Sequence, residues 1–197
     1  MSTPTPTLLH SAADYLESET TAAERSEYRD GEIVPMTGGT TNHNRLALAF
    51  CRAFPAEIAG QTYDCFIGDV KLYIPAKNLY TYPDVMVIAG EPVYHQGRQD
   101  TIENPCLLVE VLSKSTQQYD QTDKFDAYRT IPTLQEYVMI DQYNFCVKQY
   151  VRGERNRWIF SETVGEAAQL RLESLPFELN FAQLYQRVQF DASDANS

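Results

Sequence analysis

The chain has 197 residues, so one domain with ragged ends is the default expectation. Apolar residues make up 43% of it, enough for a proper core, yet no apolar run approaches the roughly 18 residues of a membrane span. Sixteen Lys and Arg against 27 Asp and Glu give a formal charge of −11, which argues against a broad non-specific nucleic-acid surface and leaves room only for a local basic groove.

Residues 1–12 read as a flexible N-terminus in which a short helix begins, somewhere in 7–16. Met1 to Leu9 has neither a basic start nor an apolar stretch, so no secretory signal is expected and the cytoplasm is the expected compartment. Residues 24–36 read as two strands around Asp30-Gly31, the strongest short hairpin signal. Thr40, Thr41 and Asn42 offer capping oxygens to a helix over 43–57, where Leu46, Ala49, Phe50 and Ala53 keep a helical period and Pro55 distorts the end. Three strands follow, over 65–74, 82–89 and 106–112. The last two are dense apolar runs of the kind covered on both faces.

A helix is then predicted over 119–129, ending before Pro132. Strands come next at 136–140, 145–151 and 158–163, with a hairpin loop at 152–155. A final short helix is expected over 179–188, and 189–197 is a flexible tail. This order makes 13–188 one α+β (mixed α/β) domain with a central mixed β-sheet flanked by helices. Cys51, Cys65, Cys106 and Cys146 form no CxxC pair and sit in apolar surroundings, so buried free thiols are expected rather than zinc.

Two acids do not fit the core pattern. Asp84 opens the run Val85-Met86-Val87-Ile88, and Glu110 lies inside Leu107-Leu108-Val109-Glu110-Val111-Leu112. A carboxylate in such a place is expensive to desolvate unless paired or bound to metal. On adjacent strands the two make an oxygen-rich pocket suited to Mg²⁺ or Mn²⁺. The bland alternatives are a strand-start Asp and a Glu buried against Lys or Arg.

Three lysines compete for a place beside them. Lys124 shares a helical face with Asp120 and Tyr128 and would reach over the sheet toward Glu110. Lys71 shares a strand face with Asp69. Lys114 follows Glu110 by four positions in a loop-like Ser-Lys-Ser-Thr context.

The ordered set Tyr82-Pro83-Asp84-Val85, Leu108-Val109-Glu110-Val111-Leu112-Ser113, Asp120, Asp123-Lys124, Tyr128 and Gln135-Glu136-Tyr137-Val138-Met139-Ile140-Asp141 resembles the Uma-two restriction endonuclease family of the PD-(D/E)xK nuclease superfamily. Upstream, residues 27–36 and His43 resemble it too, so the likeness spans roughly Ala13 to Tyr185. It implies a restriction-endonuclease-like fold and a divalent metal on Asp84 and Glu110, with the backbone carbonyl of Val111 as a further ligand. It implies Glu27 as a third acid. The superfamily lysine stands two residues after the second acid, where this chain has Leu112. The family pattern offers Lys124 in its place.

The expected function is metal-dependent hydrolysis of DNA phosphodiesters, with Lys124 orienting the attacking water. His43 is expected to touch phosphate, and Arg129, Lys148, Arg152, Arg155 and Arg157 to line a strand-binding edge. The competing reading is a catalytically degenerate nuclease fold that binds DNA or protein, favoured by Leu112 and the acidic charge. A hydrolase of small phosphorylated molecules is a third, which the absence of a phosphate-binding Gly motif disfavours. A homodimer is expected to form, if at all, through an exposed strand of the C-terminal hairpin region.

Overall fold

The computed structural model describes residues 9–190; positions 1–8 and 191–197, which hold most of the expected flexible ends, lie outside the described residues. Chain order begins with helix α1 (Ala12–Glu19), whose Ser11 cap accepts from the Asp14 amide, and the hairpin β1 (Ser26–Arg29) and β2 (Glu32–Pro35). Arg29 pairs with Glu32 across a two-residue turn, with Asp30 and Gly31 both at positive φ (45° and 106°). That is the conformation Asp-Gly supplies. Helix α2 (Thr41–Ala53) is capped by Thr40, which accepts from the His43 amide. It stops at Phe54 because Pro55 cannot continue it, so the expected extension to residue 57 does not form.

Strands β3 (Glu57–Ile58), β4 (Gln61–Ile67), β5 (Lys71–Ile74), β6 (Leu79–Thr81) and β7 (Val85–Ala89) follow. The single strand expected over 65–74 is therefore two. Gly68 takes a left-handed φ of 56°, and the chain turns from one sheet into another there. Next come β8 (Thr101–Ile102), β9 (Leu107–Leu112) and a helical segment in three parts: α3 (Gln117–Tyr119), a π-helical stretch (Asp120–Lys124) and α4 (Phe125–Tyr128). Strands β10 (Glu136–Asp141), β11 (Cys146–Arg152), β12 (Trp158–Val164), β13 (Gln169–Arg171) and β14 (Glu178–Asn180) lead to α5 (Phe181–Leu184). The expected final helix is thus shorter, its first residues spent on β14.

The main sheet has the order β12-β11-β10-β9-β7-β4-β3 and is antiparallel except for β9 beside β10. A five-stranded sheet, β2-β1-β6-β5-β8, packs beside it. Alternation along the central strands divides the core. Val85, Val87, Val109 and Val111 join Leu46 and Phe50 of α2 and Phe181 of α5 in one cluster. Met86, Ile88, Leu108 and Leu112 face the other way, against Leu72, Ile74 and Ile102 of the smaller sheet and Tyr128 of α4. By the same alternation Glu110 belongs to this second face, between Leu108 and Leu112. The main sheet ends at β3 on one side and at β12 on the other, where Ile159, Phe160 and Val164 are exposed. All four cysteines are free thiols, as expected, but only Cys146 is fully buried and the other three are half-buried; no helix among the described residues is long and apolar enough to cross a membrane.

Candidate active site

The antiparallel register Val85↔Val109 sets Asp84, just before β7, beside Glu110 on β9. Two bonds fix the approach: the Val111 amide donates to Asp84 Oδ2 at 2.7 Å, and the Asp84 amide points at Glu110 Oε2 at 3.4 Å. The Asp84 side chain is therefore tied to the β9 backbone at Val111, and the Glu110 side chain faces the Asp84 amide. The Val111 group that meets Asp84 is its amide rather than the carbonyl expected as a ligand.

Lys124 enters from the π-helical stretch. Its ammonium donates to Glu110 Oε1 at 2.9 Å and lies 3.3 Å from Asp120 Oδ1 and 3.8 Å from Glu27 Oε1. Tyr128 donates to the same Glu110 oxygen at 2.6 Å. Lys124, Glu110, Asp120 and Glu27 are all buried. Lys71, the competing lysine, is bound to Asp100 at 2.8 Å and is not part of this cluster.

Glu27 on β1 is held by partners that sequence reasoning did not find. Thr81 donates to Oε1, Arg29 donates to Oε2 through Nε and Nη2 at 2.9 and 2.5 Å, and Tyr119 donates to Oε2 at 3.1 Å. The Arg29 guanidinium also stacks over the Tyr119 ring at 3.8 Å. Arg29 was legible as the i+2 neighbour on the same strand face. Thr81 was not, because it depends on β6 pairing with β1 through Tyr28↔Tyr80. His43, expected as a phosphate contact, places Nε2 at 3.0 Å from Asp84 Oδ2.

The electrostatics follow from four acids crowded around few cations. Burial drives Glu110 well above the usual carboxylate range, with Asp84 and Asp120 adding to the push and Lys124 opposing it. Burial also works against the Lys124 charge, but Glu110, Asp120 and Glu27 outweigh it and hold the ammonium protonated well above the ordinary lysine range. Glu27 moves the other way: burial raises it, yet Lys124, Thr81 and Arg29 together leave it below its usual value. His43 is disfavoured as a cation by burial but raised on balance by its bond to Asp84. The Lys124 shift, and the parts that Asp84 and Asp120 play in the Glu110 shift, report an excess of negative charge around the pair.

That excess, and the donor chemistry, fit a hard divalent cation. Both contacts of the Asp84 side chain fall on Oδ2, and Glu110 Oε2 has only the long approach from the Asp84 amide. One oxygen of each acid is thus lightly committed among the described residues, and the Asp84 side chain keeps 20% of its surface exposed. Mg²⁺ commonly takes one or two carboxylates and fills its shell with water and phosphate. Among the described residues no group of three or more His, Cys, Asp and Glu side chains is arranged as a cation cage, and Glu27, the expected third acid, is bound by Arg29, Thr81 and Tyr119. The predicted basic edge is largely committed elsewhere. Arg152 donates to the carbonyls of Leu134, Arg129 and Ile131, Arg129 pairs with Asp126, and Lys148 binds Gln121 and approaches Glu162.

The model of the Uma2 family, described as "putative restriction endonuclease", matches residues 12–184. The chain belongs to this family. An uncharacterized Synechocystis protein, sll1609, is 43% identical over 164 residues, covering 83% of this chain and 93% of that one. A second uncharacterized protein of the same organism, slr1290, is 36% identical over 185 residues and covers 92% of each. Among solved structures, a protein of Anabaena variabilis described as "a putative nuclease belonging to DUF820" superposes with a TM-score of 0.68 at 16% identity, covering 88% of this chain and 98% of its own. At that identity the likeness speaks to fold, and the fold is the restriction-endonuclease-like one expected from the motifs. Within this Uma2 protein the residues that carried the resemblance, Asp84, Glu110, Lys124, Tyr128 and Glu27, stand in one connected cluster.

Proposed function

We propose that this Uma2 protein is a metal-dependent endonuclease that hydrolyses DNA phosphodiesters at the Asp84–Glu110 pair. The observation that carries the reading is the meeting of two carboxylates and a buried ammonium where the start of β7 lies beside β9. Asp84 and Glu110 would hold Mg²⁺ or Mn²⁺. A cation there would acidify an attacking water and offset charge on the phosphate.

The chain's own groups divide the remaining work. Lys124, held protonated by three acids, serves as a fixed positive charge that orients water and stabilises the phosphate, not as a base. Glu27 and Asp120 keep that ammonium charged and aimed at Glu110. Tyr128 fixes the Glu110 rotamer. His43, raised by Asp84, presents a cation to an approaching phosphate. Leu112 at the usual lysine position favours one competing reading, a nuclease fold that binds without cutting.

The test is cleavage of supercoiled plasmid in Mg²⁺ and in Mn²⁺ by wild type, Asp84→Asn and Glu110→Gln. Cleavage by wild type alone supports the proposal. Equal cleavage by all three removes the site. DNA binding without cleavage in either metal selects the binding module.

A further inference from the structure

We infer that a groove between α2 and the chain from α5 onward is a track for a nucleic-acid phosphodiester backbone. The groove, about 240 Å³, is lined by Arg45, Arg52 and Arg187 together with Gln183 and Gln186. In a chain of net charge −11, three guanidiniums on one concave surface are a local reversal of sign. None of the three makes an ion pair with a carboxylate among the described residues; Arg45 has only a 3.4 Å bond to Asn42. The contrast is with Arg129 and Arg152, whose guanidiniums are spent on Asp126 and on backbone carbonyls. A guanidinium left without an acid in an acidic protein is free to take phosphate, and its planar fork matches that ligand.

The spacing suits a strand. Arg45 and Arg52 lie seven residues apart on α2, about 10 Å along its axis and within about 20° of the same face. That interval matches about three nucleotides at the 3.4 Å rise of one strand. Arg45 also lines a second concavity, of about 220 Å³, with Thr40, Thr41, Asn42 and Gln142 at the first turn of the helix. From that turn His43 reaches Asp84 at 3.0 Å. Arg52, Arg187 and Arg45 therefore form one row of donors beside α2, while His43, about 160° round the helix axis from Arg45, turns to Asp84. The inference rests on the nucleic-acid reading above, but not on cleavage.

The experiment measures binding of labelled duplex DNA, single-stranded DNA and duplex RNA by fluorescence anisotropy in metal-free buffer, from about 50 to 200 mM salt. It compares wild type, Arg52→Glu/Arg187→Glu, the triple variant that adds Arg45→Glu, and the triple Arg→Lys variant. The slope of log affinity against log salt should shrink by about 0.9 for each duplex phosphate that is no longer neutralised, so by about 2–3 in the triple Glu variant, and by about 0.7 per phosphate on a single strand. The Lys variant should keep most of the wild-type slope. The double variant, altering only exposed side chains, should leave about two phosphates without a cation while its melting temperature stays unchanged. Wild-type slopes in the Glu variants, or no nucleic-acid binding by wild type, would overturn the track. Strong binding that depends on the arginines in a protein that cuts nothing would refute the nuclease reading alone. Cleavage that survives with unchanged salt dependence in the triple Glu variant would refute the track alone.

Discussion

Replacing Lys124 by Met tests the charge balance of the site directly. The side chain is buried, and its ammonium lies within 4 Å of three acids, Glu110, Asp120 and Glu27. Asp120 Oδ1 is buried without any hydrogen bond, so the Lys124 charge is its main compensation. Met fills similar volume, so the loss is electrostatic. Removing one partner of a buried ion pair costs about 3–5 kcal/mol, because the remaining charges stay desolvated. In a chain of this size that is a fall of about 6–20 °C in melting temperature. The pH dependence gives the sharper signature. Without Lys124 only Tyr128 among the main influences still draws the Glu110 pKa down, while burial, Asp84 and Asp120 push it up. A carboxyl raised above its unfolded value binds a proton more tightly when folded, so the variant recovers stability as pH falls through the folded value. Adding Glu110→Gln to Lys124→Met should restore part of the loss at neutral pH. Thermal denaturation at a series of pH values measures all of this. A loss under about 1 kcal/mol, unchanged with pH, would mean that the acids are solvated and the pairing described above is wrong.

Other outcomes follow from the same geometry. Mn²⁺ should raise the melting temperature of wild type by linkage, by about 2.7 kcal/mol of stability at a concentration about 100 times the dissociation constant, and Asp84→Asn should abolish that shift. Glu27, whose folded value lies below its unfolded one, contributes stability that is complete above the ordinary carboxylate range and is lost as pH falls through the folded value; acid titration of wild type against Glu27→Gln should show the variant flatter in that window. Tyr128→Phe leaves the ring in the core and removes only the 2.6 Å bond to Glu110, which predicts a loss of about 1.5–3 kcal/mol by chemical denaturation and a larger fractional loss of cleavage than of DNA binding.

Most of the main sheet was legible because its strands carry their own signal. The runs at β7, β9 and β10 are short, apolar and bounded by breakers, and Asp30-Gly31 allowed one turn type. The division of residues 65–74 between two sheets was not legible. The alternation of side chains runs straight through Gly68, and only the partners on either side, β7 for the first half and β6 for the second, reveal the break. Of the small sheet only the β1–β2 hairpin was legible, since β6 and β8 are too short to show a period. In the site, Asp84 and Glu110 stood out as charges out of place. Thr81 and Tyr119 carried no such mark, because a hydroxyl on a strand or helix has many bland explanations.

The absence of a lysine two residues after Glu110 has a physical reading in the fold. Glu110 and Leu112 lie on one face of β9, and Leu112 packs there with Met86, Leu108 and Met139. A lysine at that position would carry its stem into an apolar cluster already filled. Lys124 instead arrives from above, on a π-helical stretch that buries Asp120 and Lys124 together. A wider turn brings positions four apart closer to alignment than an α-helix does. The acid and the ammonium therefore enter the cleft on one side, 3.3 Å apart. The arrangement couples the charge to a helix rather than to the strand that carries its partner. A substitution that restored ordinary α-helical geometry across residues 120–124 should displace the Lys124 ammonium from Glu110 while leaving the Asp84–Val111 bond intact. Deleting Thr122, whose side chain is exposed, removes one residue from that turn. The expected result is loss of cleavage with Mn²⁺-induced stabilisation retained. Loss of both together would place the helix, rather than the strand ends, at the foundation of the acidic pair.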